Sequence, residues 1–484
     1  MNLTVSQLLH DRALADPDGA AMIVHGSDPL TYGRWHERST ELANRLVGRG
    51  VGRGDRVGLV FGAADWTDYA VAFCGVLAAG AVAVPLSDRL APGDLRFMLD
   101  NCGAAGVVHG AGLTVPGVGW SATIEDLRAE TSYEKAAPEP PAPGDPAQIL
   151  YTSGTTGRPK GVTATHANLA YGCGGRRRPF AHSRHLAHAF PIGTNAGQTM
   201  LVNALDAHPA VVTLPRFTPG RFAALIESYR AGTVFLVPAM AIELINAGVG
   251  ERHDLSSVLL LGSAAAPLPS AVATALTATF PNATITNYYT STEAAPAQTV
   301  MMFDPDRPGS VGRAIAGGRV RIATPEGEPL PAGEVGEVWM RSPAAPRAYY
   351  GDPGSTTFRD GWVRMGDLGR IDDEGYLYLV DRESDVVKSG AFKVSTIHVE
   401  EAVHAHPAVI EAAAFGVPHP VLGTVVAVAL AVREPLAPEE LRIFLKDRLA
   451  PHEVPAHVLT VDALPRNDGG KVDKRALRGR VEST

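Results

Sequence analysis

The stretch AQILYTSGTTGRPKGVT, residues 147–163, decides how the chain reads. AQILYT at 147–152 has the apolar pattern of a buried strand. It runs into six consecutive hydroxyl or glycine residues, Thr152, Ser153, Gly154, Thr155, Thr156 and Gly157, followed by Arg158, Pro159, Lys160 and Gly161. Glycines let the backbone turn tightly and present N–H groups, hydroxyls add donors, and the lysine supplies charge, which together make an anion cradle. A Walker A loop is excluded. Pro159 precedes the lysine where glycine belongs, and Gly161 follows where Ser or Thr would meet magnesium. A polar surface loop is the plainer reading, but so many donors closing on a scarce lysine argue against it.

The scarcity is a property of the whole chain. Among 484 residues there are seven lysines (135, 160, 388, 393, 446, 471 and 474) against 36 arginines. The net charge of −8 is mildly acidic, which argues against a bulk nucleic-acid or anionic-membrane binder. Three scattered cysteines, Cys74, Cys102 and Cys173, exclude a disulfide scaffold and a cysteine-rich zinc site. The segment MNLTVSQLLHDRALADPDG does not read as a signal peptide, and a cytoplasmic location is the expectation. Residues 69–87 carry no charge over 19 positions, but Gly75, Gly80 and Pro85 break them into helix, turn and strand rather than a membrane span.

Outward from the loop, helical and strand patterns alternate. RVGLVF at 56–61 reads as a buried strand, as do VVTLP at 211–215, TVFLVP at 233–238 and VLLLGS at 258–263, with a helix over 219–231. Such alternation predicts parallel α/β sheets. After Pro305 the texture changes to short strands and turns, a β-rich subdomain. From about 384 a separable α+β unit begins, with helices at 396–406 and 438–449 and strands near 409–417 and 424–432. The fold class is therefore α/β: a large N-terminal domain, 1–383, of two α/β sheet subdomains plus a β-rich subdomain, and a small α+β C-terminal unit, 384–484.

The loop TSGTTGRPKG resembles the phosphate loop of the adenylate-forming (AMP-binding) superfamily, which includes acyl-CoA synthetases, peptide-synthetase adenylation domains and luciferases. The resemblance runs from LTYGRWHERSTELANRL at 30–46 to LPRNDGGKVDKRAL at 464–477. It implies that the C-terminal unit, 384–484, is a small mobile lid, and that ATP and a carboxylate condense to an acyl adenylate and pyrophosphate, after which the lid turns for a second half-reaction, usually onto a thiol. Residue by residue, it implies that Thr152–Gly157 and Lys160 meet phosphates, that Ala265, Ala266 and Pro267 line adenine, and that Tyr289 stacks on it. By the same resemblance Thr292 meets a phosphate, Glu293 holds Mg²⁺, Asp367 and Arg382 meet the ribose, and Lys471 bridges the substrate carboxylate and α-phosphate. Lys471, Thr292, Glu293 and Lys160 are the catalytic candidates. Gly193, Thr194, Asn195, Ser263, Tyr288 and Thr290 are the candidate acid pocket.

The sequence also departs from the family's pattern. Gly193 and Thr194 stand where relatives carry an aromatic or histidine, and Thr290 replaces a glycine, which together predict a small or polar acid. Ala391 replaces a glycine that lies against the pantetheine arm, and Ser384 stands at the usual lid pivot. No aspartate near 190–195 could grip an α-amino group, which disfavours an ordinary amino acid. The leading reading is a ligase that passes a small acid to a thiol of CoA or of phosphopantetheine on an acyl carrier protein. The alternatives are a non-thiol acceptor (an amide ligase, or a diazotase activating nitrite) and a catalytically silent nucleotide-binding relative. His182, His185 and His188 read as solvated or core-edge residues rather than zinc ligands. Arg176–Arg178 read as a solvated run, with a CoA phosphate or an acidic carrier as the sharper alternative.

Overall fold

In the computed structural model the described residues are 3–130, 139–152, 158–352, 354–382, 384–390, 392–467 and 471–481. Among them, three sheets organise the chain. The first has Arg56–Phe61 at its centre, paired in parallel with Val82–Ser87 and Gly106–His109, and Val82–Ser87 pairs in parallel with Pro146–Thr152. An antiparallel turn then brings in Lys160–Thr165, and the short Ala348–Tyr349 closes that edge.

The second sheet begins as a parallel array in which His185–His188 lies between Ala210–Thr213 and Thr233–Leu236, followed by Leu260–Ser263 and Thr284–Tyr289. It continues without a break through Thr299–Met302 and Ser310–Ala314 into the antiparallel strands Leu377–Arg382, Trp362–Ile371, Gly336–Arg341 and Arg319–Ala323. The β-rich unit is thus grown off the edge of the second α/β sheet.

Local sequence explains most boundaries. Pro219 starts the helix Pro219–Tyr229 behind the Thr218 cap, and Arg230 leaves it in a left-handed conformation. The strand at 233 stops at Leu236 because Pro238 opens the next helix instead of ending the strand. The uncharged stretch divides between the helix Trp66–Ala78 and the strand Val82–Ser87, and Gly80 at φ +77° makes the break, while Gly75 sits inside the helix and Pro85 inside the strand. That helix is buried nearly all round because it lies between the first two sheets. Trp35, Trp66, Tyr69, Phe73, Phe190 and Phe235 form the core there. Among the described residues no helix is long and apolar enough to cross a membrane.

The third sheet is built on the long antiparallel pair Val409–His419 and Gly423–Val432, with the helices Thr396–His404 and Pro438–Leu445 packed on it around Val399, Leu430 and Leu441. Cys74 and Cys102 are buried and Cys173 half-buried, all three free.

Candidate functional site

The site collects where the strand Pro146–Thr152 ends above the first sheet. Thr152 pairs with Lys160 across the hairpin, so the two ends of the phosphate loop are fixed opposite each other. Ser153, Gly154, Thr155, Thr156 and Gly157 lie outside the described residues. Below the loop a buried amide network braces the strand: Gln148 Nε2 donates to Gln198 Oε1 at 2.9 Å, and the Tyr69 hydroxyl donates to the same atom at 2.6 Å. Lys160 Nζ lies 4.6 Å from the centre of the Tyr349 ring and 3.7 Å from Asp352. Both partners are partly solvated, so the ammonium is available to a stronger anion.

Glu293 faces this lysine's neighbourhood. Tyr349 donates its hydroxyl to Glu293 Oε1 at 2.9 Å, and Thr152 Oγ1 reaches the same oxygen at 3.5 Å. Burial first, and then the Glu293 charge, push the Tyr349 phenol far up, so it remains a donor. The turn carrying Thr292 and Glu293 is pinned from behind by Arg347, which is 8% exposed. Its guanidinium donates to the Thr292 carbonyl at 2.9 Å and to Asn168 Oδ1 at 2.8 Å. Burial lowers the Arg347 pKa to about 10 against the pull of Glu293, and it stays charged at neutral pH. Sequence reading missed Arg347, Tyr349 and Asn168. No motif marks RAYY, and only the pairing of Tyr349 with Val162 brings it to the loop.

The nucleoside candidates meet on the second sheet. Tyr289 donates to Asp367 Oδ2 at 2.6 Å, and Arg382 Nε lies 3.4 Å from Asp367 Oδ1. Asp367 and Arg382 face each other directly in the ladder. Burial raises the Asp367 pKa, with Arg382 and the Tyr289 donor opposing it. Ala265, Ala266 and Pro267 form an exposed loop after Leu260–Ser263, and Ala265 holds φ +74°. Glycine adopts that left-handed conformation without the Cβ penalty. Ala265→Gly is therefore expected to raise stability by roughly 1 kcal/mol, read as a higher midpoint in urea at unchanged m-value. A lower midpoint would contradict the strain at this position.

The acid-pocket candidates are less uniform. Thr194 caps the helix Asn195–Asp206 by accepting from Gly197 N–H at 3.1 Å and donates to the Pro191 carbonyl at 2.8 Å, so its hydroxyl is committed to the helix end. Asn195 opens that helix. A Cβ on Gly193 would stand 3.0 Å from the Ser87 amide nitrogen, so close backbone approach accounts for this glycine independently of substrate size. The Thr290 hydroxyl is turned back to the Ala297 carbonyl at 2.6 Å. Ser263 is buried with an unpartnered hydroxyl, and its side chain points to the face opposite Tyr288, by strand alternation across the ladder. Tyr288 packs against Phe235 at 5.5 Å between ring centres.

Lys471 comes from the third sheet's side of the molecule. Its N–H donates to Asn467 Oδ1 at 3.0 Å and its carbonyl accepts from Asn467 N–H at 2.8 Å, which fixes the loop's base. The residue is solvent-exposed by surface area. Desolvation and then the Arg382 charge lower its pKa, while Asp367 and Glu293 raise it. One lysine is thus within the field of both the nucleoside and the Glu293 candidates. Ala391, Gly469 and Gly470 lie outside the described residues, and Ser384 is exposed with its hydroxyl on Asp385 at 3.1 Å.

Of the plainer readings, a solvated run fits Arg176 and Arg177 but not Arg178, and His188 is a core residue rather than a solvated or core-edge one. His185 is tied to the Tyr229 carbonyl at 2.7 Å, and His188 is buried, with its pKa lowered by burial to about 3. Among the described residues no group of three potential ligands could hold a metal ion. Arg178 is structural: it donates to the Asp206 carbonyl at 3.1 Å and to the Tyr32 hydroxyl at 3.1 Å, while Arg176 and Arg177 are exposed.

The sequence profile described as "AMP-binding enzyme" matches residues 9–350, and that described as "AMP-binding enzyme C-terminal domain" matches 398–471. The chain is 32% identical over 492 residues to a feruloyl-CoA synthase of an Amycolatopsis species, covering 97% of each chain. Its fold is similar to ATP-bound MatB from Rhodopseudomonas palustris (TM-score 0.84, 29% identity, 99% of each chain). It is also similar to the amide bond synthetase McbA from Marinactinospora thermotolerans (TM-score 0.83, 26% identity, 98% of this chain and 99% of that one).

Proposed function

The chain belongs to the AMP-binding enzyme family and is an AMP-forming ligase that uses an adenine nucleotide, and on that premise we propose that it activates a small carboxylic acid as acyl-AMP and transfers the acyl group to the thiol of CoA. The observation that carries this reading is the pair of hydrogen-bonded clusters, Tyr289–Asp367–Arg382 on the second sheet and Thr152–Glu293–Tyr349 at the end of the loop, with Lys471 in the field of both. In the first step a carboxylate oxygen attacks the α-phosphorus of ATP, and the bond to the bridging oxygen of pyrophosphate breaks. Two anions approach each other, so cations must be in place as charge develops.

Lys471 is assigned the oxygens shared by acid and α-phosphate, and Lys160 the phosphates that leave. Asp367 and Arg382 are assigned the ribose, Tyr289 and Ala265–Pro267 the adenine, and Thr152, Thr292 and the loop Ser153–Gly157 the phosphate oxygens. A magnesium ion fits at Glu293, because Mg²⁺ is held by one or two carboxylates together with substrate phosphates, and Tyr349 and Thr152 both address one oxygen of that carboxylate. When bound, the ion would neutralise phosphate charge. We divide the protein into an N-terminal part, 1–383, and a lid, 384–484, which must turn before the thiol attacks. The thiol then displaces AMP at the acyl carbon.

ATP–pyrophosphate exchange across small aliphatic acids, aryl acids, amino acids and nitrite tests the reading, followed by product analysis with CoA, a carrier protein and amines. Exchange with a small carboxylic acid and acyl-CoA as product is expected. Adenylate formation with an amide as the only product would replace the acceptor, a second reading favoured by the similarity to an amide bond synthetase. No exchange with any acid would overturn the assignment.

A further inference from the structure

Two lid residues are held by the end of the strand Leu377–Arg382. The Ser395 hydroxyl donates to the Val380 carbonyl. Thr396, the first residue of the helix Thr396–His404, donates its N–H to Asp381 Oδ2 at 2.5 Å and its hydroxyl to Asp381 Oδ1 at 3.1 Å. On its far side the same Thr396 hydroxyl accepts from Lys474 Nζ at 3.2 Å. Lys474 also pairs with Glu400 at 2.9 Å and Asp385 at 3.7 Å. Burial pulls its pKa down, but these acids outweigh burial and leave it above the usual value.

These contacts form a closed ring. Asp381 sits beside Arg382, which pairs across the ladder with Asp367. Lys474 follows Lys471 by three residues, and Lys471 returns to the field of Asp367. Thr396 is the one member that contacts both the N-terminal part, through Asp381, and the segment carrying Lys471, through Lys474.

Two further hydrogen bonds between the two parts, Ser270 N–H to Glu401 at 3.1 Å and Arg433 to Asn246 at 2.9 Å, are part-buried and exposed respectively. Asp381 and Thr396 are each only 1% exposed, so their hydrogen bonds are the ones water competes with least. Burial pushes the Asp381 pKa up to about 6, and the donors of Thr396, the Arg382 N–H at 2.6 Å and the Lys474 charge pull against that rise by favouring the carboxylate.

We propose that Thr396 is a positioning residue for the adenylating step, its hydroxyl acting as a latch that bridges Asp381 to Lys474 and so holds Lys471 over the nucleotide site. The inference rests on the ligase reading above and deepens it: turning the lid for thiol attack requires this latch to open. The hydroxyl is matched to that task because it donates to the acid and accepts from the ammonium at once, and each bond involves a charged partner. A methyl group of the same shape keeps the packing and loses both.

Thr396→Val and Thr396→Ser in the full chain test the latch. Thr396→Val is expected to slow ATP–pyrophosphate exchange by about tenfold, the loss of a hydrogen bond to charged groups, while acyl transfer from supplied acyl-adenylate is not slowed. Thr396→Ser is expected to restore exchange. Equal exchange in Thr396→Val and the parent, or equal loss in both half-reactions together with a matching fall in melting temperature, would overturn the proposal. Proteolysis in the 382–395 segment reads the latch without catalysis: Thr396→Val should be cut faster and Thr396→Ser at the parent rate. An unchanged cutting rate in Thr396→Val overturns the latch even where the parent is active. An inactive parent with the expected cutting pattern overturns the ligase reading and leaves the latch standing.

Discussion

Lys471→Ala is expected to abolish acyl-adenylate formation, with ATP–pyrophosphate exchange falling by on the order of 10³-fold, while transfer from a supplied acyl-adenylate persists. The size follows from where the charge acts. Removing one preorganised donor aimed at developing negative charge typically costs ~10²–10³ in rate, and here the donor must also bring two anions together. Desolvation and the Arg382 charge hold the ammonium's pKa below the ordinary lysine value, while Asp367 and Glu293 pull it back up. Once the adenylate has formed, the attacking group is a thiol and the leaving group is AMP, and the lysine's task is over. Normal exchange in Lys471→Ala would sink the assignment. Equal loss of both half-reactions would mean that the substitution had damaged the lid as a whole.

Glu293→Gln is expected to lower exchange by roughly 10²-fold and to raise the magnesium concentration needed for half-maximal rate, since an amide is a poor ligand for a hard cation. The amide oxygen can still accept from Tyr349, so the turn held by Arg347 through the Thr292 carbonyl should keep its shape. An unchanged melting temperature checks that point. An unaltered magnesium dependence would remove Glu293 from the metal's role and leave it as a partner of Tyr349 alone.

Much of this site is legible in a linear reading because its parts are local. A phosphate loop needs glycines, hydroxyls and a lysine in succession, and the hairpin that sets Thr152 against Lys160 is encoded within fifteen residues. Asp367 and Arg382 are named by the resemblance, and their placement opposite each other on neighbouring antiparallel strands is a finding of the fold. What does not read out is whatever depends on distant register. Arg347, Tyr349 and Asn168 belong to no motif, yet they hold the Thr292–Glu293 turn, because the short strand Ala348–Tyr349 pairs with Lys160–Thr165 almost two hundred residues earlier.

Side-chain direction is equally hidden. Thr290 and Thr194 looked like pocket walls from their positions, but each hydroxyl is turned to its own loop or helix end. Gly193, which suggested room for a small acid, is accounted for by the approach of the Ser87 backbone.

The linear sequence carried the resemblance to the family, the alternating architecture and the expectation of an anion cradle, all of which rest on contiguous patterns and the periodicities of helix and strand. The folded molecule added which charges share one cleft and what holds them there. It shows Lys471 in the field of Asp367 and Glu293, and Thr396 between Asp381 and Lys474. Electrostatic energy depends on distance and burial, and both are products of packing between segments that the chain order keeps far apart.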